Sequence, residues 1–398
     1  MTLNAEHLWG LVDRDRLIGR LQTLVRTPSE NPPGEEAAAG AVTAELCDAA
    51  GLEVSVHEAA PGRPNVVARL GGDPGPTVCY CSHIDVVPAG DHALWASDPF
   101  DGAIAEGRMH GRGTADAKGP VAAALEAVEI LRAAGAPLRG TLELALVSDE
   151  ETMGYKGAGY LVSQGIIAPD LAIVGEPTSL RVVRAQRGAC WLRVSTTGVA
   201  GHGSAPERGV SAIRHMSEIV LRLEESLPDI SHDVLGGPSI SVGTISGGAK
   251  VNIVPASCVI EVDRRSIPQE TKEDVLESVR AAVELAKERF PDLDADVEMS
   301  FFADSFEVPE DSPVVTGVAA SVADVTGAPA ELIGFRGASD ARFLFESGAD
   351  VVVCGPGDIG VAHTAHESLD LAELERCAVA YALSFARLLA PDEVTENR

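Results

Sequence analysis

Basic residues are scarce in this chain. Lys and Arg number 31 against 60 Asp and Glu, giving a formal net charge of −29. A long-range field of that sign repels phosphate, which argues against nucleic acid and anionic membranes as partners. Most of these carboxylates read as a solvated acidic surface, so any that concern function must be found by position. Long apolar runs are also missing: no stretch approaches about 18 uninterrupted apolar residues, and no membrane span is expected. The opening MTLNAEHLWGLVDRDRL has no basic start followed by an apolar run, so no secretory signal is expected. Cysteine is sparse, with seven residues at no framework spacing. Cys79 and Cys81 share one face of an expected strand and suit each other poorly as disulfide partners. Reduced thiols in a cytoplasmic protein fit this pattern.

What is present is ample core material. With 398 residues, 45% of them hydrophobic, two domains are the default expectation. Leu17, Leu21, Leu24 and Val25 share a helical face that TPSENPPG ends. EEAAAGAVTAELCDAAG is a second helix, stopped at Gly51. The strand-like runs LEVSVHE, PNVVARL and TVCYCSH follow, then a helix opening near Pro120. GTLELALVSDEE and DLAIVGEP are nearly continuous apolar strands ending in acidic residues. Such strands, separated by helices, predict an α/β fold with a mainly parallel sheet sandwiched by helices. Between residues 189 and 303 the pattern becomes strand–helix–strand–strand–helix–strand, an α+β insert. The main domain is then discontinuous, spanning 1–188 and 304–398.

The candidate chemistry lies at strand ends, where open α/β sheets gather their ligands. CSHIDVV supplies His83 and Asp85, GRGTADAKG supplies Asp116, VSDEETMG supplies Glu150 and Glu151, VGEPT supplies Glu176, and AHTAHE supplies His363 and His366. All are nitrogen or oxygen donors. Zinc accepts imidazole and carboxylate ligands, and a carboxylate has two oxygens with which to bridge two ions. Cobalt and manganese suit the same donors. If His83 and Asp85 are both extended they face the same way, so the Asp85 carboxylate lies behind the imidazole and accepts its second N–H. Adjacent extended glutamates point apart, so one of Glu150 and Glu151 binds metal while the other faces water as general base.

These motifs, with WASDPFDGAIAEGRMHGRGTADAKG and GVAGHGSAPERGVSAI, resemble the M20 metallopeptidase and deacylase family in order and over nearly the whole chain. The resemblance implies two zinc ions: His83 and Glu176 on one, Glu151 and His363 on the other, and Asp116 with a water between them. It implies Asp85 orienting His83, Glu150 as the base, and often a cis peptide after the bridging aspartate, here Asp116–Ala117. It makes the insert a lid and homodimer surface, with His202 stabilising an oxyanion and Asn252 and Arg265 gripping a substrate carboxylate. Of the neighbours Arg264 and Arg265, facing opposite ways on a strand, one is expected to grip substrate while the other is solvated. Arg187 is a further candidate for carboxylate binding, and Ser339 for lining the cleft. Relatives carry Asn or Asp where this chain has His366, whose role stays open between a supporting donor, a substrate contact and a cap. The implied activity is hydrolysis of an amide bond in a small carboxylate-bearing N-acyl amino acid, as in a deacetylase or desuccinylase. A dipeptidase or carboxypeptidase is the alternative, and a non-catalytic binding protein the more distant one.

Overall fold

The computed structural model describes residues 4–71 and 74–390. The ends of the expected segments, residues 1–3 and 391–398, lie outside them. The chain forms two compact units: residues 1–184, 308–333 and 339–398 make one, and residues 185–307 with 334–338 the other. The divisions fall within four residues of those expected. The return of Gly334–Ala338 to the second unit has no counterpart in the sequence reading.

The first unit is built on a mixed sheet. Its strands run in the order Glu53–Glu58, Pro64–Gly71, Thr141–Val147, Thr77–His83, Leu171–Val174, Asp350–Val353, Val182–Gln186. The four strands from Thr141–Val147 to Asp350–Val353 are mutually parallel. The flanking strands pair antiparallel, so the expected parallel character is confined to the centre. Burial on both faces explains the unbroken apolar runs: Val78, Cys79, Tyr80 and Cys81 are all 0% exposed. The helices Lys118–Ala133 and Leu371–Leu388 pack on each other, and the first is buried along most of its length. Parallel strands place all their carboxyl ends at one edge, and the loops leaving that edge carry the candidate ligands. All seven cysteines are free and buried. Among the described residues no helix is long and apolar enough to cross a membrane.

The second unit is an antiparallel sheet ordered Ser239–Gly247, Ser257–Arg265, Ala189–Thr197, Asp294–Ala303. Alternation decides its faces. Cys190, Leu192 and Val194 are buried in a core with Ile219 and Val279, from the helices Ala212–Arg222 and Lys272–Lys287. Trp191 and Arg193 point the other way and are exposed. A capping box between Thr271 and Asp274 starts the second of these helices.

Candidate metal centre

His83 closes the strand Thr77–His83. Asp85 does lie on the Nδ1 side of the imidazole, but its carboxylate is not the nearer acceptor. The imidazole Nδ1 donates instead to the main-chain carbonyl of Asp85 at 2.8 Å, with the carboxylate Oδ1 farther off at 3.5 Å. That bond puts the proton on Nδ1 and turns Nε2 toward the acidic groups. The fully buried Asp85 carboxylate is used elsewhere: it accepts from Asn31 Nδ2 at 2.8 Å and from the backbone N–H groups of Glu150 and Glu151 at 3.3 and 3.2 Å.

Glu150 and Glu151 are not extended. They open a single 3₁₀ turn, Glu150–Thr152, flanked by Asp149 and Met153, both left-handed at φ 74° and 85°. In such a turn neighbouring side chains diverge by about a third of a rotation, which separates the two carboxylates by a different route. Two non-glycine residues in this region are a local strain of the sort found at functional sites. Asp149 is held by Arg63 Nη2 at 2.6 Å and by the Lys156 N–H at 2.8 Å. Glu151 Oε1 accepts the Val87 N–H at 3.1 Å, which aims Oε2 at His363.

Asp116 joins the two halves. Its Oδ1 lies 3.0 Å from His83 Nε2, and its Oδ2 lies 3.2 Å from His363 Nε2. His83 Nε2 also faces Glu176 Oε2 at 3.8 Å, and His363 Nε2 faces Glu151 Oε2 at 3.2 Å. His363 takes a left-handed backbone, φ 61°, and its side chain is 53% exposed, whereas that of His83 is 1% exposed. The Asp116–Ala117 peptide is cis. Glu176 follows Gly175, where a side chain would meet the Tyr80 hydroxyl at 2.0 Å, so only glycine lets that strand end pass.

The electrostatics fit a cation. Donor atoms of His83, Glu150 and Glu176 converge within 4.8 Å of one another, as do those of His83, Asp116 and Glu151. Burial, reinforced by Glu176, pushes the Glu150 carboxyl well above its usual range. Burial likewise raises Glu151, and it lifts Glu176 to about 7 despite the nearby His83. Asp116 goes the other way: burial opposes its charge, but bonds from His363 and His83 hold it low. Hydrogen bonds to Asp116 and Glu151 lift His363 to about 10. Glu176 Oε1 is buried with no hydrogen-bond partner. Four carboxylates sharing two imidazoles, one oxygen unpartnered, form a donor set suited to two divalent ions.

The remaining expected residues are scattered. His202 is exposed; its Nδ1 accepts the Ser204 N–H at 3.2 Å and meets Ser204 Oγ at 2.7 Å, leaving the proton on Nε2. The Gly203 N–H donates to the Asn252 carbonyl at 2.9 Å, so His202 and Asn252 are brought together. Arg265 pairs with Asp263 at 2.8 Å and is partly exposed. Arg264 is not solvated as expected for one of this pair: it is 0% exposed and paired with Glu270. Arg187 is also committed, donating to the carbonyls of Leu235 and Gly237 and to Ser239 Oγ. Its two Nη atoms thus hold the 235–239 loop, while its Nε is buried with no hydrogen-bond partner. Ser339 is buried, its Oγ accepting the Ala341 N–H at 3.4 Å. Asp340 takes the N-cap position of the next helix but makes no side-chain cap bond. Burial instead lifts it to about 8. His366 does not face Asp116; it lines a small cavity with Trp95, Ser97 and His110.

Three supports went unnoticed in the sequence. Asn31 sits in TPSENPPG, read only as a helix stop. Arg63 reaches both Glu36 at 2.8 Å and Asp149. Glu367 ends AHTAHE, and its carboxylate contacts the backbone of Asp116. Only Glu367 carried a signal, its place four residues after His363.

Residues 79–387 match the model of peptidase family M20/M25/M40. The chain is 31% identical over 330 residues to an acetylornithine deacetylase of Proteus mirabilis, covering 81% of this chain and 82% of the relative. It is 32% identical to the acetylornithine deacetylase of Aliivibrio salmonicida, covering 82% and 85%. Among solved structures it resembles the aminopeptidase PepT of Bacillus cereus, with TM-score 0.80, 24% identity, and 95% and 100% of the two chains covered. It also resembles a dinuclear metal-binding M20 peptidase of Bacillus subtilis, with TM-score 0.74, 16% identity, and 94% and 98% covered. The chain belongs to peptidase family M20/M25/M40 and is a metal-dependent hydrolase.

Proposed function

We propose that this protein is a two-zinc amidohydrolase that removes the acyl group from a small, carboxylate-bearing N-acyl amino acid, in the manner of an acetylornithine deacetylase. The observation that carries the reading is Asp116, which turns one oxygen to each of two imidazoles, each imidazole facing its own glutamate. His83 and Glu176 would hold one ion, Glu151 and His363 the other, with Asp116 between. Zinc held there would supply Lewis-acid polarisation of the amide carbonyl and would lower the pKa of a bound water toward neutrality.

The chain's own groups do the rest. Glu150 takes the proton from the attacking water and returns it to the leaving amine; its raised proton affinity suits both transfers. Asp85 fixes the turn carrying Glu150 and Glu151, and its carbonyl fixes His83. His202, with its free Nε2–H, is the donor assigned to the developing oxyanion. Arg265 and Asn252 recognise the substrate carboxylate, and Ser339 lines the cleft. The second unit serves as lid and homodimer surface in a cytoplasmic enzyme.

Elemental analysis of the purified protein tests the metal content: two zinc per chain supports the reading, and less than about one transition metal refutes it. A panel of N-acetyl, N-succinyl and N-carbamoyl amino acids beside dipeptides tests the substrate class. Turnover confined to the dipeptides would replace the deacylase with a peptidase.

A further inference from the structure

Glu367 takes no part in the chemistry above, yet it is 1% exposed and its carboxylate serves three donors. Oε1 accepts the N–H groups of Ala115 at 3.1 Å and Asp116 at 3.2 Å, while Oε2 accepts Arg112 Nη1 at 2.5 Å. Its own carbonyl accepts the Gly111 N–H at 3.1 Å. Arg112 is fixed in turn: its N–H donates to the Pro99 carbonyl at 2.8 Å, and its guanidinium lies 5.2 Å from the Trp95 ring centre. One residue thus pins both ends of the segment 111–116 that delivers Asp116.

The same residue also closes the turn that follows the one carrying His363. The Glu367 N–H points at the Thr364 carbonyl at 3.4 Å, and Thr364 bonds back to Val361 through both its N–H and its hydroxyl. Asp116 and His363 come from remote parts of the sequence, and Glu367 is attached to both. Their shared approach, Oδ2 to Nε2 at 3.2 Å, depends on where Glu367 sits. His363 is half-exposed, and its Nε2 faces Asp116 and Glu151, both at 3.2 Å.

We propose that Glu367, anchored by Arg112 and Trp95, is a positioning residue that sets the span between Asp116 and His363 and thereby the affinity of the metal position these two share with Glu151. Only a carboxylate meets the demand. It presents two acceptor oxygens to two N–H groups and a guanidinium, whereas the glutamine amide turns an N–H₂ toward one of these donors.

The inference rests on the two-metal reading, and one titration separates the two. Zinc is titrated into metal-stripped protein against a competing chelator. If wild type binds fewer than two zinc, the two-metal reading itself fails. If it binds two, Glu367→Ala and Glu367→Gln should keep one equivalent at wild-type affinity and weaken the other about 10–100-fold, the usual effect of losing a ligand's support. Excess zinc should restore kcat, with KM unchanged. A cavity of about 190 Å³, lined by Trp95, Ser97, His110 and His366, runs up to Glu367. Added formate or acetate should therefore rescue zinc affinity in Glu367→Ala, where the carboxylate position is open, but not in Glu367→Gln, where it is filled. Arg112→Lys, which keeps the charge and loses the fork, should fall between. It carries the test with Glu367→Gln if the alanine variant does not fold. Wild-type affinity for both equivalents in the variants overturns the proposal, as does equal weakening of both that formate does not relieve.

Discussion

The two units of this protein bury charge in opposite ways. In the insert, Arg264 is fully buried and matched by buried Glu270, and Arg187 gives its Nη donors to the carbonyls of Leu235 and Gly237 and to Ser239 Oγ. In the main unit, Asp116, Glu150, Glu151 and Glu176 crowd together, and among the described residues His83 and His363 are the imidazoles facing them. That arrangement is not a general habit of the unit, since buried Glu126 is matched by Arg16 and Arg20. Charge buried for structure is paired within the chain, because an unpaired buried ion costs several kcal/mol. Like charge left unpaired in a set of good donors marks a place where an ion from outside completes the balance.

The largest effect expected from this contrast is on chemistry. Glu150→Gln should lower kcat by about 10²–10⁴-fold, the range for losing a general base, with both metals retained. Steady-state kinetics with metal analysis checks this; unchanged turnover would remove Glu150 from the mechanism. The paired region should respond in stability instead. Glu270→Ala strands the Arg264 guanidinium and should cost about 3–5 kcal/mol in denaturant unfolding. Replacing both members with apolar residues should recover most of that loss.

A third expectation concerns pH. In metal-stripped protein, burial lifts Glu176 to about 7, above the 4.5 of an unburied glutamate. Folding then favours its protonated form, so stability is lost as pH rises from about 4.5 to 7. Bonds to Asp116 and Glu151 lift His363 to about 10 from 6.5, and its contribution is full below 6.5 and lost as pH rises through 10. Both have the same sign. Asp116, held low, acts only at more acid pH. The melting temperature of stripped protein should therefore fall between pH 5 and 9, and saturating zinc should flatten or reverse the slope. A stripped protein that grows more stable over that range would show that the carboxylates are compensated within the chain.

The α/β and α+β divisions were legible in the sequence because periodicity is local. Nearly continuous apolar strands separated by helices told one unit from the alternating strands of the other. The candidate ligands were legible because His83, Glu150, Glu151 and Glu176 follow closely on the ends of apolar strands, and Asp116 and His363 lie in the loops beyond. What was not legible depends on the backbone just past those ends. The strand stops at His83, and at 2.8 Å the Asp85 carbonyl is a nearer acceptor for the imidazole than the carboxylate expected there, which lies at 3.5 Å. The turn at Glu150 depends on left-handed Asp149 and Met153, which no spacing announces. Arg187 looked available because its acceptors, the carbonyls of Leu235 and Gly237, lie about 50 residues away and have no sequence signature.

The smallest effect lies where the two modes of charge burial meet, on the partly exposed face of the insert. Arg265 is assigned to the substrate carboxylate, yet it already holds Asp263 at 2.8 Å. With side chains 28% and 38% exposed, this pair is of the surface kind, worth roughly 0–1 kcal/mol. A substrate carboxylate displacing Asp263 therefore meets little resistance, but not none. Asp263→Asn should lower KM for carboxylate substrates by about 2–5-fold, the equivalent of that energy, and leave KM for the corresponding amides unchanged. Arg265→Ala should raise KM for the carboxylates and spare the amides. Equal shifts for acids and amides in both variants would mean that Arg265 and Asp263 are one more internally matched pair, like Arg264 and Glu270, and that the carboxylate is recognised elsewhere.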